Sequence, residues 1–245
     1  MTETKKKGLE TMLRIHVCDD EKEIYESVYD ILKEAAKEEF YELYELSCFP
    51  SGEELLVHGT DCDILFLDIE MPEMDGIETA RRLRKQGADC IIVMLTGNTA
   101  RFKEAFKIGA LRYVTKPIDK EELLEALEDA KNRLVGRREL VVEEKGDSYS
   151  VTEKDIIYLM ADRNRTVLYT KHRDFRSPLG IREWAERLDE RLFFACHRSY
   201  LVNMEYIREL SEKEVRLKTG ERIPISRRRY KEFLHQLISY ETRFQ

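Results

Sequence analysis

Five short apolar runs in the first half of the chain, at residues 13–18, 43–49, 64–67, 91–95 and 111–114, each lead into a stretch whose apolar residues recur at helical spacing. Those stretches cover residues 21–39, 51–58, 76–86, 98–108 and 120–134. Runs such as Ile64, Leu65, Phe66, Leu67 and Ile91, Ile92, Val93, Met94, Leu95 show no polar alternation, so strands built from them must be covered on both faces. Helices on both sides of a parallel sheet do that, and the strand–helix alternation supplies them. The expectation is an α/β domain with a five-stranded, parallel, doubly wound sheet. Ser51, Gly52, Glu53 and Glu54 have capping-box spacing at one helix start.

In such a sheet the functional groups gather at the carboxyl ends of the strands. Asp19 and Asp20 follow the first run, Asp68 the third, Thr96 the fourth and Lys116 the fifth, so all five are expected around one cleft. Three clustered carboxylates repel one another, and a hard divalent cation with oxygen ligands, most simply Mg2+, is their natural counterweight. One carboxylate is then available as a nucleophile. Asp68 is placed to attack phosphorus in an in-line displacement while the metal and the Lys116 ammonium neutralise charge on the transferring oxygens. Thr96 can donate a hydrogen bond to the phosphoryl group, and Gly97 leaves room beside it.

Four stretches carry a family resemblance: Cys18-Asp19-Asp20-Glu21, Leu67-Asp68-Ile69-Glu70-Met71-Pro72-Glu73-Met74-Asp75-Gly76, Leu95-Thr96-Gly97 and Thr115-Lys116-Pro117. Through them residues 13–134 resemble the receiver domains of two-component signalling, which are flavodoxin-like in fold. The resemblance implies that Asp68 is the phosphoacceptor and that Asp19, Asp20, Asp68 and the backbone carbonyl of Glu70 hold Mg2+. It implies a cis bond before Pro117 that aims Lys116 inward, a switch pair formed by Thr96 and Tyr113, and a sensor histidine kinase as phosphodonor. The competing readings are aspartates that only cap helices, a Tyr113 that is only core, and a receiver that no longer takes phosphate. The intact set of five argues against the last.

Beyond residue 135 the pattern changes to short strand-like runs at 140–144, 148–151, 156–160, 166–170, 193–196, 207–210, 214–218 and 221–224, with turns expected at Gly146-Asp147 and Thr219-Gly220. Helical stretches fall at 180–188 and 226–238 only. A mostly antiparallel β domain is expected, without a helix-turn-helix pair or zinc spacing. Its cations cluster in expected loops: Arg163, Asn164, Arg165; His197, Arg198, Ser199, Asn203; and Arg227, Arg228, Arg229, Lys231. Such groups suit phosphates and base edges. Phe193-Phe194-Ala195-Cys196-His197-Arg198-Ser199-Tyr200-Leu201-Val202-Asn203 and Pro224-Ile225-Ser226-Arg227-Arg228 resemble signature blocks of LytTR DNA-binding domains. That resemblance implies loops, rather than a recognition helix, inserted into successive major grooves. Against it stand a solvated helix start at 227–229 and a turn-capping Asn203. A hydrolase built on His197 and Ser199 lacks a nucleophile motif, and Cys196 reads as a buried thiol rather than a redox switch.

The charge supports this division. Residues 1–134 carry 19 Lys and Arg against 30 Asp and Glu, and residues 135–245 carry 23 against 19. An acidic metal-binding half joined to a basic polyanion-binding half is the expected arrangement. The expected domains are a receiver over 12–135, a linker over 136–139 with Gly136 as its flexible point, and a LytTR-type domain over 140–245. The five cysteines form no C-x-x-C pair, there is no membrane-length apolar run, and 1–10 carries Lys5, Lys6 and Lys7 without an apolar core after them, so a cytoplasmic protein is expected. The expected function is transcription control through phosphorylation of Asp68, by a chain that is not an enzyme in its own right. Its partners would be the kinase, double-stranded DNA and a second copy of itself. The alternative is a signalling adaptor whose second domain binds protein or RNA. Pairing of copies is expected to set Arg101, Lys103, Lys107 and Arg112 against Glu121, Glu122, Glu125 and Asp129.

Overall fold

The computed structural model describes residues 13–38, 44–97, 101 and 108–244, which form two compact units divided between Leu134 and Val135. In the first, β1 (Leu13–Cys18), β2 (Tyr44–Phe49), β3 (Ile64–Asp68), β4 (Ile91–Thr96) and β5 (Arg112–Thr115) make one parallel sheet in the order β2-β1-β3-β4-β5. Successive side chains of a strand point to opposite faces. Ile64 and Phe66 therefore join Val93 and Leu95 in one core, and Leu65 and Leu67 join Ile92 and Met94 in the other.

The first core is closed by α1 (Lys22–Glu38) through Val28 and Leu32, and by α4 (Lys120–Leu134) through Leu123, Ala126, Leu127 and Ala130. The second is closed by α2 (Gly52–His58) through Leu55, and by α3 (Gly76–Lys85) through Ile77, Ala80 and Leu83. Helices thus cover both faces, as the continuous apolar runs require. The Ser51 hydroxyl caps α2 by accepting from the Glu54 N–H at 3.3 Å. Of the helix expected over 98–108, residues 98–100 and 102–107 lie outside the described residues, as do residues 1–12, 39 and 43.

One glycine fixes how α3 meets the end of β3. A Cβ on Gly76 would stand 1.9 Å from the Asp68 carbonyl oxygen. Only glycine lets α3 start this close to the strand, with the Gly76 N–H donating to the Ile69 carbonyl at 3.0 Å. The Asp75 carboxylate, capping α3, accepts from the Glu78 N–H at 2.8 Å.

The second unit opens with a ribbon of β6 (Glu139–Glu144) and β7 (Asp147–Thr152). Then β8 (Ile156–Asp162), β9 (Arg165–Thr170), β10 (Phe175–Ser177), β11 (Phe193–His197) and β12 (Tyr200–Asn203) form an antiparallel sheet in the order β10-β9-β8-β12-β11. A third sheet joins β13 (Ile207–Leu210), β14 (Glu214–Leu217) and β15 (Arg222–Pro224). One core holds Leu159, Leu168 and Leu201 against Trp184 of α5 (Ile181–Arg187), and the other holds Tyr158, Phe194 and Val202 against Phe233 and Leu237 of α6 (Tyr230–Phe244).

Four details depart from the sequence reading. β10 and β12 are strands where none was expected. The ribbon turns at Lys145-Gly146, between paired Glu144 and Asp147, one residue before the expected Gly146-Asp147. α6 begins at Tyr230, because residues 227–229 form a turn in which the Arg229 N–H donates to the Ser226 carbonyl at 2.8 Å. The stretch 136–139, expected as a linker, is tied to the second unit: Lys154 N–H donates to the Gly136 carbonyl at 2.8 Å and Glu153 N–H to the Arg138 carbonyl at 2.9 Å. Gly136 sits at φ 77°, a conformation glycine adopts readily.

Candidate functional site

At the carboxyl edge of the parallel sheet, Asp19, Asp20 and Asp68 bring carboxylate oxygens within 4.8 Å of one another. Asp19 and Asp68 are buried, 2% and 1% exposed, whereas Asp20 is open to solvent. The Lys116 ammonium spans the cluster, 2.9 Å from Asp19 Oδ2, 3.2 Å from Asp68 Oδ2 and 3.1 Å from Glu21 Oε1. The peptide bond after Lys116 is cis, and the Lys116 N–H donates to the Thr96 carbonyl at 2.9 Å. Thr96 is fully buried at the end of β4, and Tyr113, half-buried on β5, packs against the core that α2 and α3 cover.

Burial dominates the electrostatics. It pushes Asp19 up to about 6, with the Lys116 and Glu21 hydrogen bonds opposing it. It also raises Asp68, against Lys116. Burial alone would lower Lys116, but Asp19, Asp68 and Glu21 raise it above its ordinary value. Asp68 Oδ1 is buried without a hydrogen-bond partner. An orphaned carboxylate oxygen beside two further carboxylates is the donor set a hard divalent cation takes, so the residues present fit such an ion. Glu70, whose carbonyl was expected as a further ligand, has an exposed side chain, and its N–H donates to the Asp68 carboxylate.

Glu21, which follows the aspartate pair directly and has no role in the sequence alone, is one of three acids on Lys116. The Arg101–Asp75 ion pair of 2.7 Å was not expected from the sequence either. Arg112, expected to face acids of a second copy, pairs within its own chain with Asp129 at 2.8 Å and Glu125 at 2.9 Å. Lys103 and Lys107 lie outside the described residues.

In the second unit the basic residues collect at one end of the five-stranded sheet. Arg163 and Asn164 form the two-residue tip between β8 and β9, Asp162 being paired with Arg165. Arg198 and Ser199 form the tip between β11 and β12, His197 being paired with Tyr200. β12 lies beside β8, and the Ala161 N–H donates to the Ser199 carbonyl at 2.9 Å, so the two tips are neighbours. The Ser226 N–H donates to the Cys196 carbonyl at 3.0 Å, which brings the turn 227–229 to the same edge.

Arg163, Asn164, Arg165, Arg198, Arg227, Arg228 and Lys231 are exposed, and Lys231 sits in the first turn of α6. Arg163 has φ 55°, strained for a residue with a Cβ, at the hairpin tip. His197 Nδ1 accepts from the Ser199 N–H at 3.2 Å, which orients its ring. Arg229 is spoken for within the domain, 4.9 Å over the Phe194 ring and 3.3 Å from Glu232.

Asn203 must be corrected. Expected among the DNA-contacting groups, it is fully buried, donating from Nδ2 to the Ile156 carbonyl at 2.8 Å and accepting at Oδ1 from the Glu205 N–H at 2.9 Å. Its polar atoms hold β12 to β8 and start the helical turn that follows. Asn203→Ala is therefore expected to cost about 1–3 kcal/mol of folding stability by stranding the Ile156 carbonyl. Chemical denaturation measures it, and a loss under 0.5 kcal/mol would contradict the assignment.

Among the described residues no helix is long and apolar enough to cross a membrane. The family model for the response regulator receiver domain matches residues 15–128, and that for the LytTr DNA-binding domain matches residues 146–238. The sensory transduction protein LytT of Bacillus subtilis is 28% identical over 237 residues, covering 90% of this chain and 97% of its own. The transcriptional regulatory protein YpdB of Escherichia coli K12 is 26% identical over 243 residues, covering 90% of this chain and 98% of its own. A solved structure of the Vibrio cholerae chemotaxis protein CheY4 is 28% identical over 49% of this chain and 99% of its own, with a TM-score of 0.44.

Proposed function

Since this chain belongs to the response regulators that join a receiver domain to a LytTR DNA-binding domain, we propose that phosphorylation of Asp68 by a sensor histidine kinase controls how its second domain grips DNA. The observation that carries the proposal is the state of Asp68: buried, 3.2 Å from the Lys116 ammonium, with Oδ1 unpartnered. A phosphohistidine of the kinase donates the group. An Asp68 oxygen attacks phosphorus, the N–P bond breaks as the O–P bond forms, and the imidazole nitrogen leaves with the bonding pair.

Lys116 neutralises charge on the phosphoryl oxygens and holds Asp68 oriented beforehand. Asp19, Asp20, Asp68 and the Glu70 carbonyl would hold Mg2+, which supplies positive charge to those oxygens. Thr96 donates its hydroxyl to the arrived phosphoryl group, and Tyr113 follows it inward, so the group is read on the outer face of β4 and β5. Slow hydrolysis of the acyl phosphate returns the domain to its starting state.

In the second domain the neighbouring tips carrying Arg163 to Arg165 and His197 to Ser199, with Arg227 and Arg228, meet base edges and phosphates, while Lys231 takes a phosphate. Phosphorylated copies pair, which doubles the grip on a repeated site; light scattering should show the mass of the chain double on adding a phosphodonor and Mg2+. An unchanged mass would contradict the pairing. Duplex DNA selected from a random pool, then titrated at several salt concentrations, tests the DNA reading. A recovered motif whose binding weakens steeply with salt supports it; recovery of no motif favours an adaptor that binds protein or RNA.

A further inference from the structure

We propose that Cys62 and Cys90 are a redox modification site of the receiver, joined as a reversible disulfide when the protein meets a peroxide. Cys62 lies just before β3 and Cys90 just before β4, and these strands pair in parallel from Ile64 opposite Ile91. The Ile91 N–H donates to the Asp63 carbonyl at 2.8 Å, which locks the two chain entries side by side. Both side chains belong to the same apolar cluster, with Cys62 9% exposed and Cys90 3% exposed. The two thiols are near enough that each shifts the other's ionisation.

Arg84, in the last turn of α3, lies against Cys90. Its Nη1 lies 3.8 Å from Cys90 Sγ and 2.9 Å from the Ala88 carbonyl oxygen, and its Nη2 lies 2.7 Å from the Cys90 carbonyl oxygen. A guanidinium held by two carbonyls beside a sulfur stabilises a thiolate there. The neighbouring Cys62 thiol and the Arg84 guanidinium lower the Cys90 thiol, and burial opposes them. The guanidinium beside its sulfur makes Cys90 the attacking thiolate, with Cys62, raised by its neighbour and by burial, as the resolving one. The other thiols differ: burial pushes Cys18 up and Cys196 up to about 12.

The chemistry balances with a peroxide as oxidant. The Cys90 thiolate attacks one peroxide oxygen, the O–O bond breaks, and sulfenic acid and hydroxide form. Cys62 sulfur then displaces the sulfenic oxygen, which leaves with the Cys62 proton as water. Each sulfur gives up one electron, and the peroxide takes both. A small thiol reverses the bond by exchange. Asp68 lies at the far end of β3, roughly 20 Å from Cys62 by strand rise, so this chemistry is separate from phosphorylation.

The test uses the full chain treated with hydrogen peroxide and then digested after its remaining thiols are alkylated. The expected result is a loss of two hydrogens in intact mass, one peptide pair joining Cys62 to Cys90, and reversal by dithiothreitol. Asp68→Asn should behave alike, Arg84→Gln should slow the bond severalfold, and Cys62→Ser should leave a sulfenic acid trapped on Cys90 by dimedone. Cys90→Ala serves if Cys90→Ser does not fold, and neither should form the bond. Oxidation confined to the exposed Cys48, or a linkage of any other pair, would overturn the proposal.

Discussion

Asp68→Asn is expected to accept no phosphoryl group, while the wild-type chain is labelled stoichiometrically by a small phosphodonor with Mg2+. The carboxamide oxygen is a poor nucleophile, so the loss should be complete rather than partial. It should not unfold the domain. Asp68 is buried beside Asp19, so the amide removes one of two like charges while keeping the shape, at the cost of its ion pair with Lys116. Peptide mapping of the labelled chain, with circular dichroism as the folding control, measures both. Undiminished labelling of the folded variant would move the phosphoacceptor elsewhere.

The second large effect concerns the basic end of the LytTR domain. Arg198→Ala and Arg228→Ala are each expected to cost about 1–3 kcal/mol of discrimination between operator and scrambled duplex, because a guanidinium can fork to a guanine edge. Arg198 is exposed at the tip of the β11–β12 hairpin and Arg228 is exposed in the turn before α6, so neither is held by the fold. Lys231 is the contrast. As a point charge it suits a phosphate, so Lys231→Ala should weaken both duplexes alike and flatten the salt slope by about one counterion. Isotherms on both duplexes at several salt concentrations separate the two kinds. Equal losses on operator and scrambled DNA for Arg198→Ala and Arg228→Ala would mean these side chains do not read bases.

The receiver was legible in the sequence because burial on both faces leaves an unbroken apolar mark: Ile64 to Leu67 and Ile91 to Leu95 could hardly be anything but central strands. The site followed, since a parallel sheet places each strand end at one edge, and Asp19, Asp68 and Lys116 met there. Glu21 was less legible, for nothing in its spacing says that a charged residue at a helix start reaches a lysine 95 positions away.

The second domain was harder for a physical reason. β12 is four residues long and lies inside a signature block read for its basic loop, and β10 is three, so neither shows enough alternation to register. The same brevity misled the reading of Asn203, whose amide looks like a base-contacting group until the partner strand is known to bring the Ile156 carbonyl to it. The cations at the two hairpin tips were readable as a set, but their adjacency rests on β12 pairing with β8, a contact between segments some 40 residues apart in sequence. Arg229 looked like its neighbours and differs only because Phe194 and Glu232 are within its reach.

Control of DNA binding by phosphorylation at Asp68 is read out in the affinity of the full chain for its selected duplex with and without a phosphodonor and Mg2+, in wild type and Asp68→Asn side by side. Phosphorylation is expected to tighten wild-type binding on the order of 5- to 150-fold, the usual span of coupling between two sites, and to leave Asp68→Asn unchanged. Wild-type affinity that ignores the phosphodonor, or an Asp68→Asn chain that responds to it equally, would mean that Asp68 does not control the DNA-binding domain.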